Sequence, residues 1–308
     1  MKGFILYILK ILGVFVIGVV LLEQVYDHVF KKGIVRNKLQ KVLSLEEGDH
    51  YEFVFLGSSR TENTIDCEII EKITGKSCIN LGVAGSSLKD SYVLLKLLLE
   101  KGIVVDHVFL QVDYSYNEKS ADLTPAFKAT LIPFRSHPAI REELEIEDDG
   151  SYILNFPFYA YLKYEKIVGF REIVNQTILN DSGKNYENGF YPLTGTGKQL
   201  YGSLPAKIAN TNRVLSNMEK MVSGKRTKLH YFFAPYCQQV ENRDYAMKLQ
   251  DKLPEIYNYI DIFDRKENLF ADCGHLNLSG AQEFTKILIT DFLHREAMDE
   301  NDRNGGNE

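Results

Sequence analysis

Three side chains that lie far apart in the sequence have the chemistry of a serine nucleophile and its base. Ser59 carries a hydroxyl, and Asp272 and His275 stand three residues apart in "FADCGHLNLSG" near the C-terminus. A serine needs a base to lose its proton at neutral pH, and histidine supplies one when an acceptor on its other ring nitrogen fixes the tautomer. A D-x-x-H spacing alone is equally typical of a solvated loop. Its combination with Ser59 favours a Ser-His-Asp triad.

The local sequence around Ser59 favours the same chemistry. The stretch "FVFLGSSRTEN" (53–63) is a run of strand-forming residues that ends in Gly57-Ser58-Ser59-Arg60, where a helical pattern begins. A strand that turns directly into a helix is where α/β proteins present reactive groups. The alternative for Ser59 is a helix cap, because a serine at the N-cap satisfies free backbone amides. Arg60 is predicted either to bind an anionic group of the substrate or to be a solvated residue at the helix start.

Strand and helix patterns alternate along the rest of the chain. The strands are predicted in "YEFVFLG" (51–57), "SCINLGVAG" (77–85), "VVDHVFLQVDYSY" (104–116), "KLHYFFAPY" (228–236) and "YIDIFDR" (259–265). Such alternation predicts a parallel sheet with helices on both faces. We therefore expect an α/β fold, a three-layer α/β/α flavodoxin-like sandwich with a mostly parallel five-stranded sheet. Because ligands gather at the carboxyl ends of such strands, Ser59, Gly82 and the residues after Val112 should meet at one edge.

The N-terminus has a different composition. The stretch "FILYILKILGVFVIGVVLL" (4–22) contains Lys10 as its only charge, and about 20 apolar residues span a bilayer as a helix. No small-residue cleavage site follows Leu22, which predicts an uncleaved transmembrane helix rather than a signal peptide. A buried core helix is the alternative. Basic residues on both sides leave the orientation weakly determined, and we expect the large domain to lie outside the cytoplasm.

Charge and cysteine content limit the classes of partner and cofactor. The net charge is −6 and no basic run is interleaved with aromatics, which argues against nucleic-acid binding. The four cysteines (Cys67, Cys78, Cys237 and Cys273) have no metal-ligand spacing, and the histidines are scattered, so no metal or cofactor is predicted. Cys67 and Cys78 pair in one interpretation and are buried free thiols in the other. Cysteine usage therefore does not determine the compartment.

Three sequence blocks resemble a known family. "FLGSSRTEN", "INLGVAGSSL" and "DCGHLNLSGA" are similar to the conserved blocks of the SGNH (GDSL-type) hydrolase superfamily, and more narrowly to its membrane-anchored DltD-like, polysaccharide O-acyltransferase-associated branch. The resemblance covers roughly residues 50–116 and 228–295. It implies that Ser59 is the nucleophile, that His275 and Asp272 complete the triad, and that the amides of Ser59 and Gly82 bind the oxyanion.

The third block departs from the family pattern. Where the family has G-x-N-D, with the asparagine donating to the oxyanion, this chain has "QVDYSYN". Ser115 falls at the position of the asparagine and is the predicted third donor, with Asp113, Tyr114 and Asn117 as neighbouring alternatives. Loss of one oxyanion donor costs about 10²–10³-fold in rate. Arg60 and Asp113 are the residues predicted to bind the substrate.

The sequence pattern, together with the resemblance, also predicts a domain organisation. It predicts an anchor at 1–24, a linker at 25–50, an SGNH-like domain at 51–296 and a disordered tail at 297–308. An insertion at about 117–205 is predicted to form helices and a lid.

Two functions from different classes follow from these expectations. The first is a serine-dependent acyl-ester hydrolase or O-acyltransferase that acts on an acylated glycan or cell-wall polymer outside the cytoplasm. The resemblance implies a membrane-bound O-acyltransferase as its partner. The second is a catalytically degenerate, membrane-tethered accessory protein that binds a glycan or a partner acyltransferase, an interpretation favoured by the altered third block.

Overall fold

The computed structural model describes residues 1–118, 122–179, 188–197 and 200–305, and the chain divides into two compact units. The helical unit comprises Met1–Ser44 and Asp122–Lys184, and the sheet unit comprises Leu45–Ala121 and Asn185–Glu308. Parts of the predicted insertion and the last three residues of the predicted tail lie outside the described residues. The helices are α1 (Lys2–Lys32), α2 (Lys38–Ser44), α3 (Ser59–Glu62), α4 (Cys67–Thr74), α5 (Leu88–Glu100), α6 (Pro125–Leu131), α7 (Pro138–Glu145), α8 (Gly150–Asn155), α9 (Tyr159–Lys163), α10 (Glu165–Val168), α11 (Phe170–Val174), α12 (Arg213–Val222), α13 (Tyr245–Lys252) and α14 (Leu278–Gly305).

A five-stranded parallel sheet forms the centre of the sheet unit, as the sequence predicts. Its strands are β1 (His50–Leu56), β2 (Cys78–Asn80), β3 (Val104–Gln111), β4 (Lys228–Phe233) and β5 (Tyr257–Asn258). The strand order is β2-β1-β3-β4-β5, which is the flavodoxin-like order. The fifth strand is shorter and earlier than predicted, because the chain turns directly after Asn258.

The order of the strands places helices on both faces of the sheet. The chain passes from β1 through α4 to β2 on one side, and from β2 through α5 to β3 on the other side of β1. Right-handed crossovers in opposite directions put their helices on opposite faces. In agreement, α4 packs with α14 and α5 packs with α12. The chain adds strand β2 on one side of β1 and the later strands on the other side. The carboxyl ends of β1 and β3 therefore form the switch point where ligands bind in such sheets.

Aromatic rings fill the core between the sheet and α14. Phe292 of α14 makes edge-to-face contacts with Phe53 of β1 and Phe109 of β3, at centroid distances of 5.7 and 5.2 Å. All three rings are at most 2% exposed. Burial of a Phe side chain contributes about 1.5–3 kcal/mol, so this contact anchors α14 on the sheet. The helix continues to Gly305, past residue 297, where the sequence analysis placed the start of a disordered tail.

Both pairs of cysteines form disulfides, and this finding replaces the alternative of free thiols. Cys67 at the start of α4 is bonded to Cys78 of β2, and Cys237 after β4 is bonded to Cys273. Spacing alone did not predict the second pair, because its partners are 36 residues apart and meet only through the sheet.

The helical unit is built around the C-terminal part of α1. The apolar first part of α1 is exposed, and its length and composition are sufficient to cross a membrane. The helix does not end there: it continues to Lys32, where Phe30 is buried against the stacked ring of Tyr161. With α2 following at Lys38, residues 25–50 are largely helical rather than a linker. Asp122–Lys184 joins this unit, so most of the predicted insertion groups with the N-terminal segment.

A histidine pair in the sheet makes the stability of the sheet unit depend on pH. His107 Nδ1 and His230 Nε2 are 3.0 Å apart on neighbouring strands, close to the Lys228–Glu296 ion pair. Burial lowers the pKa of His107, and burial together with the charge of His107 lowers the pKa of His230 to about 4. The unfolded chain therefore binds protons first on acidification. Stability should be full above about pH 6.5 and fall toward pH 4, by on the order of 2–3 kcal/mol.

Scanning calorimetry of the protein in detergent between about pH 7 and pH 5 measures this effect. The His230→Gln variant, which keeps a hydrogen-bonding side chain but does not titrate, should lose less stability on acidification than the unmodified protein. An equal loss in both proteins would assign the pH dependence to other groups.

Candidate active site

Ser59 lies at the carboxyl end of β1, where the strand turns sharply into α3. Gly57 makes this turn with a φ of +148°, and a Cβ built there would lie 2.3 Å from Thr61 Oγ1, so only glycine fits. Ser58 is the N-cap of α3, and its hydroxyl accepts from the amide of Arg60 and donates to Gln111 Oε1 at 2.8 Å. The neighbouring serines thus have separate roles: Ser58 caps the helix, and Ser59 is the first residue of the helix with its hydroxyl free for another partner.

That partner is His275, and Asp272 completes the set that the sequence predicted. Ser59 Oγ and His275 Nε2 are 2.8 Å apart, and His275 Nδ1 lies 2.9 Å from both carboxylate oxygens of Asp272. This hydrogen bond from His275 lowers the pKa of Asp272, which keeps the carboxylate ionised at neutral pH. An ionised acceptor on Nδ1 leaves Nε2 as the basic nitrogen that faces the serine hydroxyl. The geometry is that of a nucleophile, a base and an orienting carboxylate.

A short antiparallel hairpin carries the aspartate and the histidine. Its strands are β6 (Phe270–Asp272) and β7 (His275–Leu276), and Asp272 accepts from the amide of Gly274 in the turn. The Cys237–Cys273 disulfide ties this turn to the loop after β4, and the Cys237 amide donates to the Cys273 carbonyl. The turn that carries Asp272 and His275 is therefore held by a covalent bond to the loop after β4.

Arg60 holds the same turn from the serine side. Its guanidinium donates to the carbonyl oxygens of Gly274, Ala234 and Pro235 and to Asp113 Oδ2, and it lies 3.7 Å from the ring centroid of Tyr236. Arg60 is 2% exposed and Asp113 is fully buried. In this structure neither charge is accessible to a substrate, which corrects their assignment to substrate binding. A buried guanidinium needs nearly all of its donors paired, and these partners supply that pairing.

Gly82 also differs from its predicted role. Its amide donates to Asn80 Oδ1 at 2.9 Å, so this amide is already paired and is not a free oxyanion donor. A Cβ at Gly82 would come within 2.4 Å of the Glu62 amide nitrogen, so the glycine lets the loop pack directly on α3. Asn80 Nδ2 donates to the carbonyls of Thr61 and Ile65. Gly82 and Asn80 therefore position α3 rather than the oxyanion.

Backbone amides without an acceptor among the described residues lie on the exposed side of the same region. Ser59 is the first residue of α3, and an amide there has no acceptor inside the helix. Gly85 is exposed with a φ of +73°, and its amide has no hydrogen-bond partner among the described residues. Val83 and Ser86, on either side of it, donate to the carbonyl of Gly57, which places this loop beside the serine turn. The pattern "GVAG" contains both glycines, and among the described residues the Gly82 amide is paired whereas the Gly85 amide is not.

The residues of the altered third block lie after β3. Ser115 is buried, and its hydroxyl has no hydrogen-bond partner in the described part of the chain, so its role stays a prediction. Asn117 is not a free donor, because its side chain binds Lys207 O and the Ala209 amide. Tyr114 is partly exposed; burial and the Asp113 charge raise the pKa of its phenol, although a hydrogen bond with Ser58 opposes the rise. A protonated phenol therefore lies next to the serine pair.

One group of side chains elsewhere has the spacing of metal ligands. His50, Glu52 and Asp106 offer ligand atoms within 4.8 Å of one another at the amino ends of β1 and β3. Arg226 and His50 already bind the Asp106 carboxylate, and hydrogen bonds to His50 and Arg226 help to lower its pKa despite its burial. We assign no metal to this group, because Arg226 occupies the carboxylate that a cation would need.

Fold and site together define an α/β protein with a hydrogen-bonded serine, histidine and aspartate at the switch point of a parallel sheet. No family model and no curated protein matches the chain. A solved structure from Streptococcus pneumonia, provisionally described as a platelet activating factor, is similar at 12% sequence identity and a TM-score of 0.35, covering 93% of this chain and 98% of that one. The likeness is too distant to carry an argument about function.

The Arg60–Asp113 pair gives a test of how the site is held. Replacing Arg60 by Met leaves the buried Asp113 carboxylate without its partner, which should destabilise the sheet unit by about 3–5 kcal/mol. The double variant Arg60→Met with Asp113→Asn removes both charges and should recover part of that loss. Calorimetric melting temperatures of the three proteins measure the effect. Equal melting of the single and double variants would contradict a charge pair as the cause.

Proposed function

We propose that this chain is an SGNH-type serine acyl-ester hydrolase or O-acyltransferase. The observation that carries the proposal is the continuous hydrogen-bonded series from Ser59 through His275 to Asp272 at the carboxyl end of β1. An N-cap serine, the alternative for this position, is accounted for by Ser58. The sequence blocks that resemble the SGNH superfamily contain Ser59, Asp272 and His275 at the positions of that family's triad, and this resemblance adds support.

In the proposed reaction, Ser59 Oγ attacks the acyl carbonyl carbon while His275 Nε2 takes its proton. The imidazolium is stabilised by the ionised Asp272, and it then protonates the departing alkoxide as the tetrahedral intermediate collapses to an acyl-enzyme. A second hydroxyl, from water or from a sugar, gives its proton to His275 and attacks the ester. The second tetrahedral intermediate then collapses: the bond between the carbonyl carbon and Ser59 Oγ breaks, His275 returns the proton to that oxygen, and the free acid or the new ester leaves.

The oxyanion requires donors that are fixed before the reaction begins. We assign this role to the amide of Ser59 and to the amide of Gly85, neither of which has a hydrogen-bond partner among the described residues, in place of Gly82. The phenol of Tyr114 is a third candidate donor, because it interacts with the side chain of Ser58 beside the nucleophile and a phenol carries its proton at neutral pH. These donors would compensate for the asparagine that the third block lacks.

We propose that the sheet unit works outside the cytoplasm and is held there by α1. Disulfides persist in oxidising compartments, and the four cysteines of the chain form two disulfides. The helix continues unbroken from its apolar first part into the folded helical unit, which favours a retained anchor over a removed signal sequence. The resemblance suggests an acylated cell-envelope polysaccharide as substrate and a membrane-bound O-acyltransferase as partner.

Labelling with a fluorophosphonate serine probe tests the nucleophile. Intact mass of the full chain in detergent should show one adduct, and both Ser59→Ala and His275→Ala should lose it, because the first removes the nucleophile and the second its base. Ser58→Ala is the matched control: its hydroxyl is bonded to Gln111, so this variant should keep the adduct.

The contrary result would favour the second function. A protein that is folded by circular dichroism but is not labelled by the fluorophosphonate probe would contradict the assignment of Ser59 as the nucleophile. It would favour a membrane-tethered accessory protein in which Ser59 has only a structural role. An adduct that survives in Ser59→Ala would place the reactive hydroxyl elsewhere.

Competition between water and sugar distinguishes hydrolysis from transfer. With an activated acetyl ester as donor, Ser59→Ala should lower the rate of ester cleavage by at least about 10³-fold. Mass spectrometry of an added oligosaccharide then shows whether the acetyl group reaches a sugar hydroxyl or only water. Transfer of the acetyl group would make the protein an O-acyltransferase, and free acetate alone would make it an esterase.

A further inference from the structure

The helical unit begins at the point where the apolar span of α1 ends. Glu23 is the first charged residue after that span, and its carboxylate accepts from the backbone amide of Phe158 at 3.1 Å. Arg135 binds Glu23 at 2.7 Å and, one turn further along α1, Asp27 at 2.8 Å. These two carboxylates fix the polypeptide around Phe158 to the end of the span.

Ring contacts reinforce this attachment. Tyr26 of α1 makes edge-to-face contacts with Phe158 and Tyr161, both at centroid distances of 5.0 Å, and the hydroxyl of Tyr161 donates to Asp27 at 2.6 Å. Phe158 itself has a φ of +62°, which L-residues rarely adopt and which costs about 1–3 kcal/mol. A conformation of this cost persists only where its surroundings determine it, so the turn at Phe158 is rigid.

Large side chains that are more than half exposed flank this rigid turn. Tyr152, Phe156 and Leu162 are 53%, 56% and 66% exposed, and we call these three residues the apolar patch. The rings of Tyr152 and Phe156 are 5.5 Å apart, and the Leu162 amide donates to the Phe158 carbonyl. Phe156 and Leu162 are two and four residues from Phe158, which binds Glu23, and Tyr152 joins them through its ring contact with Phe156.

We propose that the apolar patch inserts into the interfacial layer of the bilayer that α1 spans, so that the helical unit is seated on the lipid surface. The proposal rests on the membrane anchor proposed above. A bilayer is the occupant that these contacts favour, because the patch flanks Phe158, whose amide is bonded to Glu23 where the apolar span ends and the polar part of α1 begins. Aromatic and aliphatic side chains are stable at this depth, and Tyr in particular is enriched there.

Exposed apolar residues of the same unit that lie further from the span provide an internal comparison. Ile178 is 74% exposed, but neighbouring Gln176 lies against Gly33, and Glu172 pairs with Arg36. Glu23 and Gly33 are separated by ten residues of α1, or about 15 Å along the helix axis. Ile178 should thus stay in water while the apolar patch is in lipid.

Tryptophan fluorescence tests the proposal without background, because the chain contains no tryptophan. The full chain carrying Phe156→Trp or Leu162→Trp is reconstituted into vesicles of phosphatidylcholine with a minority of phosphatidylglycerol. Matched vesicles have bromine atoms on the upper part of the acyl chains, where they quench a nearby indole. Phe15→Trp reports on the span of α1, and Ile178→Trp is the control.

We expect Phe156→Trp and Leu162→Trp to be quenched at least about twofold more than Ile178→Trp, with blue-shifted emission. Quenching of Phe15→Trp without quenching at 156 and 162 would support the anchor but overturn the proposal that the apolar patch inserts into the bilayer. Loss of quenching at all positions would overturn both the anchor and the docking. Equal quenching of Ile178→Trp would overturn the assignment to this patch. Fluorophosphonate labelling of the same vesicles reports separately on the proposed enzyme activity.

Discussion

The buried guanidinium of Arg60 is the constraint on which the candidate site depends. It starts from α3, one residue after the serine, and reaches Gly274 in the turn that carries the histidine and two carbonyls after β4. Removing such a cation from water is costly, and the cost is offset only when its donors are paired in one particular geometry. The pairing with Asp113 and the backbone therefore fixes α3 and three other chain segments relative to one another. The short Ser59–His275 distance is a consequence of that arrangement.

The other elements of the site reinforce the same positions. The Cys237–Cys273 bond attaches the histidine turn to the loop after β4, and Asn80 attaches the loop after β2 to α3. Gly82 permits this second attachment because it has no side chain to separate the loop from the helix. A serine and a histidine on different elements need this rigidity, since a displacement of about 1 Å can cost a large factor in rate.

The two units divide the physical tasks of the chain. In the sheet unit, burial of aromatic rings and paired charges produces a fixed arrangement of polar side chains at one edge of the sheet. In the helical unit, ion pairs and ring contacts extend the stiffness of α1 beyond its apolar span. If the chain works at a membrane, the apolar span of α1 attaches it to the bilayer and the helical unit contacts the bilayer surface. Chemistry and attachment then rest on different segments, each with its own source of stability.

Local pattern in the sequence predicted the alternation of strands and helices and the parallel five-stranded sheet, although β5 lies earlier than predicted. It also selected Ser59, Asp272 and His275, which the fold brings within hydrogen-bond distance of one another. Apolar runs that end in glycine mark parallel strands, and a serine after one such run together with a distant D-x-x-H spacing favours a triad. Roles that depend on distant partners were not accessible in this way. Arg60 and Asp113 appeared as solvated or substrate-binding charges, and only the fold shows them buried and paired. Gly82 and Gly85 are equivalent in sequence, and the side chain of Asn80 decides which amide stays free. Periodicity is a property of neighbours along the chain, whereas burial and hydrogen-bond pairing are decided by residues that only folding brings together.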